Sequence, residues 1–179
     1  MKGKDLGEKM AAQQIAISGM GGQGVLFLTK VLAECALDCE LNVITSETHG
    51  MAIRGGSVIS YVKVGPFRGP LIRRGKADVM LAMDESYLEA SLYLVASQGI
   101  VFLNAKESPV HPCIDAMGIA AEMGAPLVAN LVLLGFALKH QRLFCDYSLV
   151  EPVIKRISPL QFKDLNLKAL RRGFFGKRP

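Results

Sequence analysis

Residues 19–24 read Gly-Met-Gly-Gly-Gln-Gly. They separate a short apolar run, Gln14 to Ser18, from an apolar stripe at helical spacing: Val25, Leu28, Leu32, Cys35 and Cys39. No other feature limits the fold as tightly. A buried strand must turn sharply into a helix here, and residues without a Cβ allow both the turn and a close backbone approach. Gly19, Gly21 and Gly24 satisfy GxGxxG, Gly22 adds a fourth glycine, and Gln23 lies within the turn. Unpaired N–H groups at the start of the helix then face an anion with the helix dipole behind them. A phosphate, pyrophosphate or carboxylate suits that setting, and these residues are candidate cofactor-binding positions.

The pattern continues as alternating strands and helices. Leu41 to Thr45 is a second apolar run of strand length, and Ser57 to Val64 alternates and is rich in β-branched residues. The turn Gly65-Pro66-Phe67-Arg68-Gly69-Pro70 then predicts a return through Leu71 and Ile72 as a short antiparallel partner. A strand over Val79 to Met83, a helix over Ser86 to Val95 and a strand over Ile100 to Leu103 come next. Helices are expected over 114–123, 131–141, 148–157 and 163–172, the last with arginines in its final turn. The predicted class is α/β: a three-layer α/β/α arrangement around a mostly parallel sheet, with an inserted hairpin and a Rossmann-like first βαβ unit. A polar leader covers 1–13, and 14–179 reads as one domain with helices at its C-terminal end.

A second unusual segment, Ser46 to Ser57 (SETHGMAIRGGS), sets His49 and Arg54 among Gly50, Gly55 and Gly56 just before a strand. Loops leaving the carboxyl ends of neighbouring strands in an open sheet converge on one crevice, so this segment should lie beside the glycine turn. Arg54 would pair with a phosphate or carboxylate and His49 would donate a hydrogen bond. A nicotinamide cofactor would need an acid at the end of the second strand, and Glu47 is the candidate, 23 residues beyond Gly24. No serine elbow, paired catalytic carboxylates or metal motif accompanies these residues, so no catalytic residue is assigned.

Composition narrows the class further. Half the residues are hydrophobic and mean hydropathy is +0.29. That fits either strands buried on both faces or a surface covered by another chain, including self-association of the isolated chain. The longest apolar stretch, Ala125 to Leu138, is 14 residues and contains Pro126 and Asn130, too short for a membrane span. Cys35, Cys39, Cys113 and Cys145 form no CxxC pair and no repeated spacing with His49, His111 or His140. The expectation is a reduced, cytoplasmic protein with no metal of its own, Cys35 and Cys39 serving as core residues of a helix. The charge of +5 concentrates after Lys163, where no aromatic interleaving or helix-turn-helix points to nucleic acid. A solvated helix end or a dock for an acidic partner both fit it.

In order, the segments GMGGQGVLFLTKVLAE, ETHGMAIRGGSVISYVKVG, PLIRRGKADVMLAMD, NLVLLGFAL and NLKALRRGF resemble the gamma subunit or domain of the 2-oxoacid:ferredoxin oxidoreductase family. The resemblance spans about residues 14–175, and the ETHGM form is nearer the indolepyruvate branch than the pyruvate branch. It departs at Ile53, where the family pattern carries Gln, so the loop lacks that amide. The resemblance implies a subunit of an enzyme that oxidatively decarboxylates a 2-oxoacid, acylates coenzyme A and reduces ferredoxin. It further implies a large partner subunit that carries thiamine diphosphate and iron–sulfur clusters, with coenzyme A in a crevice shared with this chain. Two other classes fit the residues alone: a free-standing NAD(P)-binding oxidoreductase, and a non-catalytic interaction subunit whose glycines only pack.

Overall fold

A computed structural model describes residues 12–50 and 56–176. Its centre is a six-stranded sheet in the order β2-β3-β1-β4-β5-β6. The strands are β1 (Gln13–Met20), β2 (Val43–His49), β3 (Ser57–Val64), β4 (Ala77–Ala82), β5 (Val95–Asn104) and β6 (Cys113–Ile114). β1, β4, β5 and β6 run parallel, and β3 is antiparallel to both β1 and β2. The sheet is therefore mixed and mostly parallel, as the alternating pattern predicts.

Helix α1 (Val25–Asp38) leaves the glycine turn and buries Val25, Leu28, Val31, Leu32 and Cys35 against the sheet. On the same face α4 (Ala129–Lys139) lies over β4 and β5, and α3 (Ala116–Glu122), α5 (Tyr147–Ile157) and α6 (Lys163–Phe175) pack around α1 and α4, in one apolar core with Ile15, Ile17, Val79, Leu81 and Phe102. The opposite face buries Ala16, Tyr61, Met80, Val101 and Leu103. Its cover is lighter: Ile72, and the segment 85–94 through Leu88 and Leu94.

Three expectations need correcting. The inserted hairpin is β2 with β3, not Ser57–Val64 with Leu71–Ile72. β2 reaches His49, so the run that looked like a loop from Ser46 onward begins as strand. Its alternation is masked because β2 is an edge strand and exposes Thr45, Glu47, Thr48 and His49. Leu71 instead gives its carbonyl to Lys63 Nζ (3.1 Å), which lets Ile72 plug the second face. Second, the helix expected over 86–95 is a single α-turn, α2 (Leu88–Ser91), between 3-10 turns. Asp84 starts it by accepting from Ser86 N (2.9 Å), and Ser91 Oγ bonds back to Tyr87 O (3.0 Å), which competes with helix continuation. Third, Cys39 is exposed at the end of α1, not core. Cys35 and Cys145 are buried, and the hydrogen bond with Cys35, aided by burial, pushes the Cys145 thiol well above its ordinary range. β6 is too short to have been foreseen.

The helical layer is held by an unusually close crossing. A Cβ at Gly173 of α6 would come within 1.9 Å of the Val132 carbonyl oxygen, and one at Gly135 of α4 within 2.2 Å of the Leu170 carbonyl oxygen. These atoms are backbone and cannot rotate away. The basic end of α6 is neutralised locally: Arg171 Nε bonds Glu151 (3.0 Å) and Arg172 bonds Glu122 (3.0 Å). The Arg171 guanidinium holds the Glu151 carboxyl below the usual carboxylate range, so this clamp is lost only as pH falls through that lowered value.

Gly173→Ala is expected to destabilise the chain by about 2–4 kcal/mol, because α6 must move off α4. A thermal melt should fall by about 2–4 °C per kcal/mol lost. An unchanged melting midpoint would show that the helices do not cross this closely.

Candidate functional site

β1 ends at Met20, where its neighbours part. Met83 N still reaches Ser18 O (2.8 Å) on one side, and Gly19 and Met20 pair with Val58 and Ser57 on the other. Beyond that point the Met20 N–H finds no strand. The Gln23 side chain supplies the acceptor, Oε1 taking that N–H at 2.7 Å, while its Nε2 donates to Asp84 Oδ2 (3.2 Å). Gln23, read from the sequence as a cofactor contact, thus has both ends of its amide engaged with the protein. Its visible role is to close the turn and tie it to the end of β4. Gly19 permits this, since a Cβ there would lie 2.7 Å from Gln23 Oε1 and 2.9 Å from Met83 Cβ.

Gly24 is the N-cap of α1 in the left-handed region (φ 77°, ψ 23°). It lies against α4: a Cβ would sit 2.2 Å from Asn130 Nδ2. Asn130 is 4% exposed, donates to Gly24 O (3.2 Å) and accepts from Leu131 N (2.8 Å). The same Gly24 carbonyl accepts the first helical bond, from Leu28 N (3.2 Å). The N–H groups of Gly22, Gly24 and Val25 have no partner among the described residues. They are the donors a helix start offers to an anion.

The second glycine segment arrives as expected, by way of the β2–β3 hairpin. Gly21 N donates to Gly56 O (3.2 Å), and Gly50 N to Ser57 O (2.7 Å). A pocket of about 330 Å³ lies between the turn and the hairpin, lined by Gly21, Gly22, Gly24, Leu26, His49 and Val58. His49 is exposed, with Nε2 3.5 Å from Glu47 Oε2. Arg54 and Gly55 lie outside the described residues. On the other side of the turn a larger, mostly apolar pocket of about 530 Å³ is bounded by Gly22, Gly24, Phe27, Leu127, Phe162 and Leu165. Leu127 is 74% exposed at its rim. Glu47 lies on the outer strand, with β3 between it and β1, one strand farther from the turn than the acid of an adjacent-strand dinucleotide site.

Two residues of this site went unread in the sequence, Asp84 and Asn130. Asn130 did carry a signal, as the one polar side chain between Ala129 and Leu138 before Lys139. Among the described residues no three His, Cys, Asp or Glu side chains gather to hold a metal ion, and no helix is long and apolar enough to cross a membrane.

Comparison with known proteins places the chain in one family by sequence and by fold. Residues 14–175 match the family model described as pyruvate ferredoxin/flavodoxin oxidoreductase. The chain is 32% identical over 186 residues to the indolepyruvate oxidoreductase subunit IorB of Archaeoglobus fulgidus, covering 89% of this chain and 92% of the relative. Its fold matches the keto/oxoacid ferredoxin oxidoreductase gamma subunit of Geobacter sulfurreducens, with TM-score 0.75 and 23% identity over 91% of this chain and 96% of that one. It also matches part of 2-oxoglutarate:ferredoxin oxidoreductase from Magnetococcus marinus, solved with 2-oxoglutarate, coenzyme A and succinyl-CoA bound. There the TM-score is 0.73 and identity 18%, over 92% of this chain but 31% of that one.

Gln23→Ala would leave the Met20 N–H and one Asp84 oxygen unpaired, and should cost about 1–2 kcal/mol in denaturant unfolding. Full stability in that variant would show that the amide does not close the turn.

Proposed function

The chain belongs to the pyruvate ferredoxin/flavodoxin oxidoreductase family, and from that premise we propose that it is the gamma-type subunit of a 2-oxoacid:ferredoxin oxidoreductase of the indolepyruvate kind. The assembled enzyme oxidatively decarboxylates a 2-oxoacid, passes the acyl group to coenzyme A and its electrons to ferredoxin. A larger companion subunit in the cytoplasm carries thiamine diphosphate and iron–sulfur clusters, which supply the decarboxylation and electron transfer. No redox step is assigned to this chain. Residues 14–179 act as one unit in this reading.

The part of this chain is to bind and orient. The observation that carries the reading is the junction of the two glycine segments through Gly21 N and Gly56 O, with His49 on the same pocket wall. The free N–H groups of Gly22, Gly24 and Val25 suit the diphosphate of coenzyme A, in a crevice completed by the companion subunit. His49 donates to that anion, Arg54 adds positive charge, and Gly56 ties the hairpin to the turn through Gly21 N. Gly19, Gly21 and Gln23 shape the turn. The Magnetococcus enzyme was solved with coenzyme A bound, which supports this choice of ligand. A nicotinamide site is less well served, because Glu47 sits on the outermost strand beside His49.

Gly21 is the cleanest place to test this. It is exposed, its φ is not positive, and a Cβ would meet nothing nearer than Gly56 O at 4.0 Å. In the enzyme co-expressed with its companion subunit, Gly21→Asp should raise KM for coenzyme A about tenfold or more, with Arg54→Ala acting in the same direction. Unchanged KM in both would overturn the coenzyme A assignment. Repeated failure of the wild-type chain to co-purify with a larger thiamine-dependent subunit would overturn the subunit assignment itself.

A further inference from the structure

We infer that Asn130 is a positioning residue for the anion site, aiming the Val25 N–H by fixing the Gly24–Val25 peptide from a different helix. This rests on the reading of the glycine turn as the coenzyme A site, and adds to it a residue 106 positions away in sequence. The argument begins with the peptide plane. A trans peptide points its carbonyl and its N–H in opposite directions. The Gly24 carbonyl points into α1, where it accepts from both Leu28 N and Asn130 Nδ2, at 3.2 Å each. With both lone pairs engaged, the plane cannot tilt without breaking a bond. The N–H of the same plane belongs to Val25, which lines the pocket between the turn and the hairpin.

Asn130 is itself fixed. It is buried, it sits in the first turn of α4, and its Oδ1 accepts from Leu131 N at 2.8 Å, which sets the amide with nitrogen toward Gly24. A bond from α1's own next turn would hold the carbonyl only as firmly as a helix end, which frays. The second bond comes from α4, whose own position is set by the close crossing at Gly135 and Gly173. Rigidity of the helical layer is thereby passed to one donor of the turn. Such preorganisation improves binding because the donor need not be ordered when the anion arrives.

The side chain also sets the spacing of the contact. Asn130 Nδ2 occupies the place a Cβ at Gly24 would fill. Glycine at 24 is thus favoured on two counts, the left-handed φ of 77° at the helix start and the space that Asn130 takes.

The test uses the complex of this chain with its companion subunit, with indolepyruvate and coenzyme A as substrates. Asn130→Ala removes the donor without adding charge, and should raise KM for coenzyme A about tenfold while kcat stays within about twofold. Asn130→Asp keeps the shape and the acceptor for Leu131 N but turns an oxygen toward the Gly24 carbonyl, and should raise KM at least as far. A merely structural role predicts lower thermal stability with KM at the wild-type value in both variants, and that result would overturn the inference. Should Gly21→Asp and Arg54→Ala also leave KM unchanged, the underlying coenzyme A reading fails as well. Should Gly21→Asp raise KM while both Asn130 variants do not, the positioning inference alone is wrong. Thermal melts of the isolated chain supply an independent check: Gly24→Ala should cost less in an Asn130→Ala background than in wild type, because the 2.2 Å clash is gone. Additive losses would mean that the two residues do not touch.

Discussion

One contact organises this molecule: the Gly24 carbonyl, held at once by α1's own first hydrogen bond and by the buried amide of Asn130 from α4. It fastens the start of one helix to the start of another, so the end of β1, the glycine turn and the helical layer cannot move separately. Its strength as a single bond is modest, about 1 kcal/mol net. Its importance comes from what it is attached to. α4 cannot shift because its backbone lies against that of α6 at two glycines, and α1 cannot shift because its apolar stripe is buried on β1 and β3. The contact inherits stiffness from both.

The two sides of the glycine turn are unlike each other, and the sheet explains why. On one side the β2–β3 hairpin brings polar, exposed His49 and the Gly56 carbonyl. On the other, the segments before α4 and α6 bring Leu127, Phe162 and Leu165. Both walls are largely apolar, and among the described residues His49 on the hairpin side is the one ionisable side chain that lines either pocket. The lopsided cover of the sheet follows the same division. Among the described residues, α1 and α4 lie on one face with α3, α5 and α6 packed around them, whereas the second face carries Ile72 and the broken segment around α2.

The turn, α1 and the approach of the second glycine segment were legible in the sequence because each rests on local chemistry: glycine spacing, an apolar stripe, a cluster of turn residues. The limits of β2 were not, because an edge strand gives up the alternation that would mark it. Nor was the true hairpin partner of β3, since Leu41 to Thr45 and Leu71-Ile72 are both short, largely apolar runs flanking the same strand. The helix expected over Ser86 to Val95 is cut to a single turn because Asp84 and Ser91 bond to the backbone and shorten it. Cys39 fits the stripe arithmetically, yet it sits where α1 runs out of sheet to cover.

What the sequence by itself determined was a strand, a glycine turn and a helix in an α/β chain, and a family resemblance over residues 14–175. What only the tertiary structure decided was which residues hold that turn. The Gln23 amide spans Met20 and Asp84, and Asn130, an interruption in an apolar run of the sequence, sets α4 against Gly24. The physical reason is the same for both. Glycine's freedom is a property of the residue and is written in the chain, whereas the bonds that restrict that freedom join positions brought together only by packing.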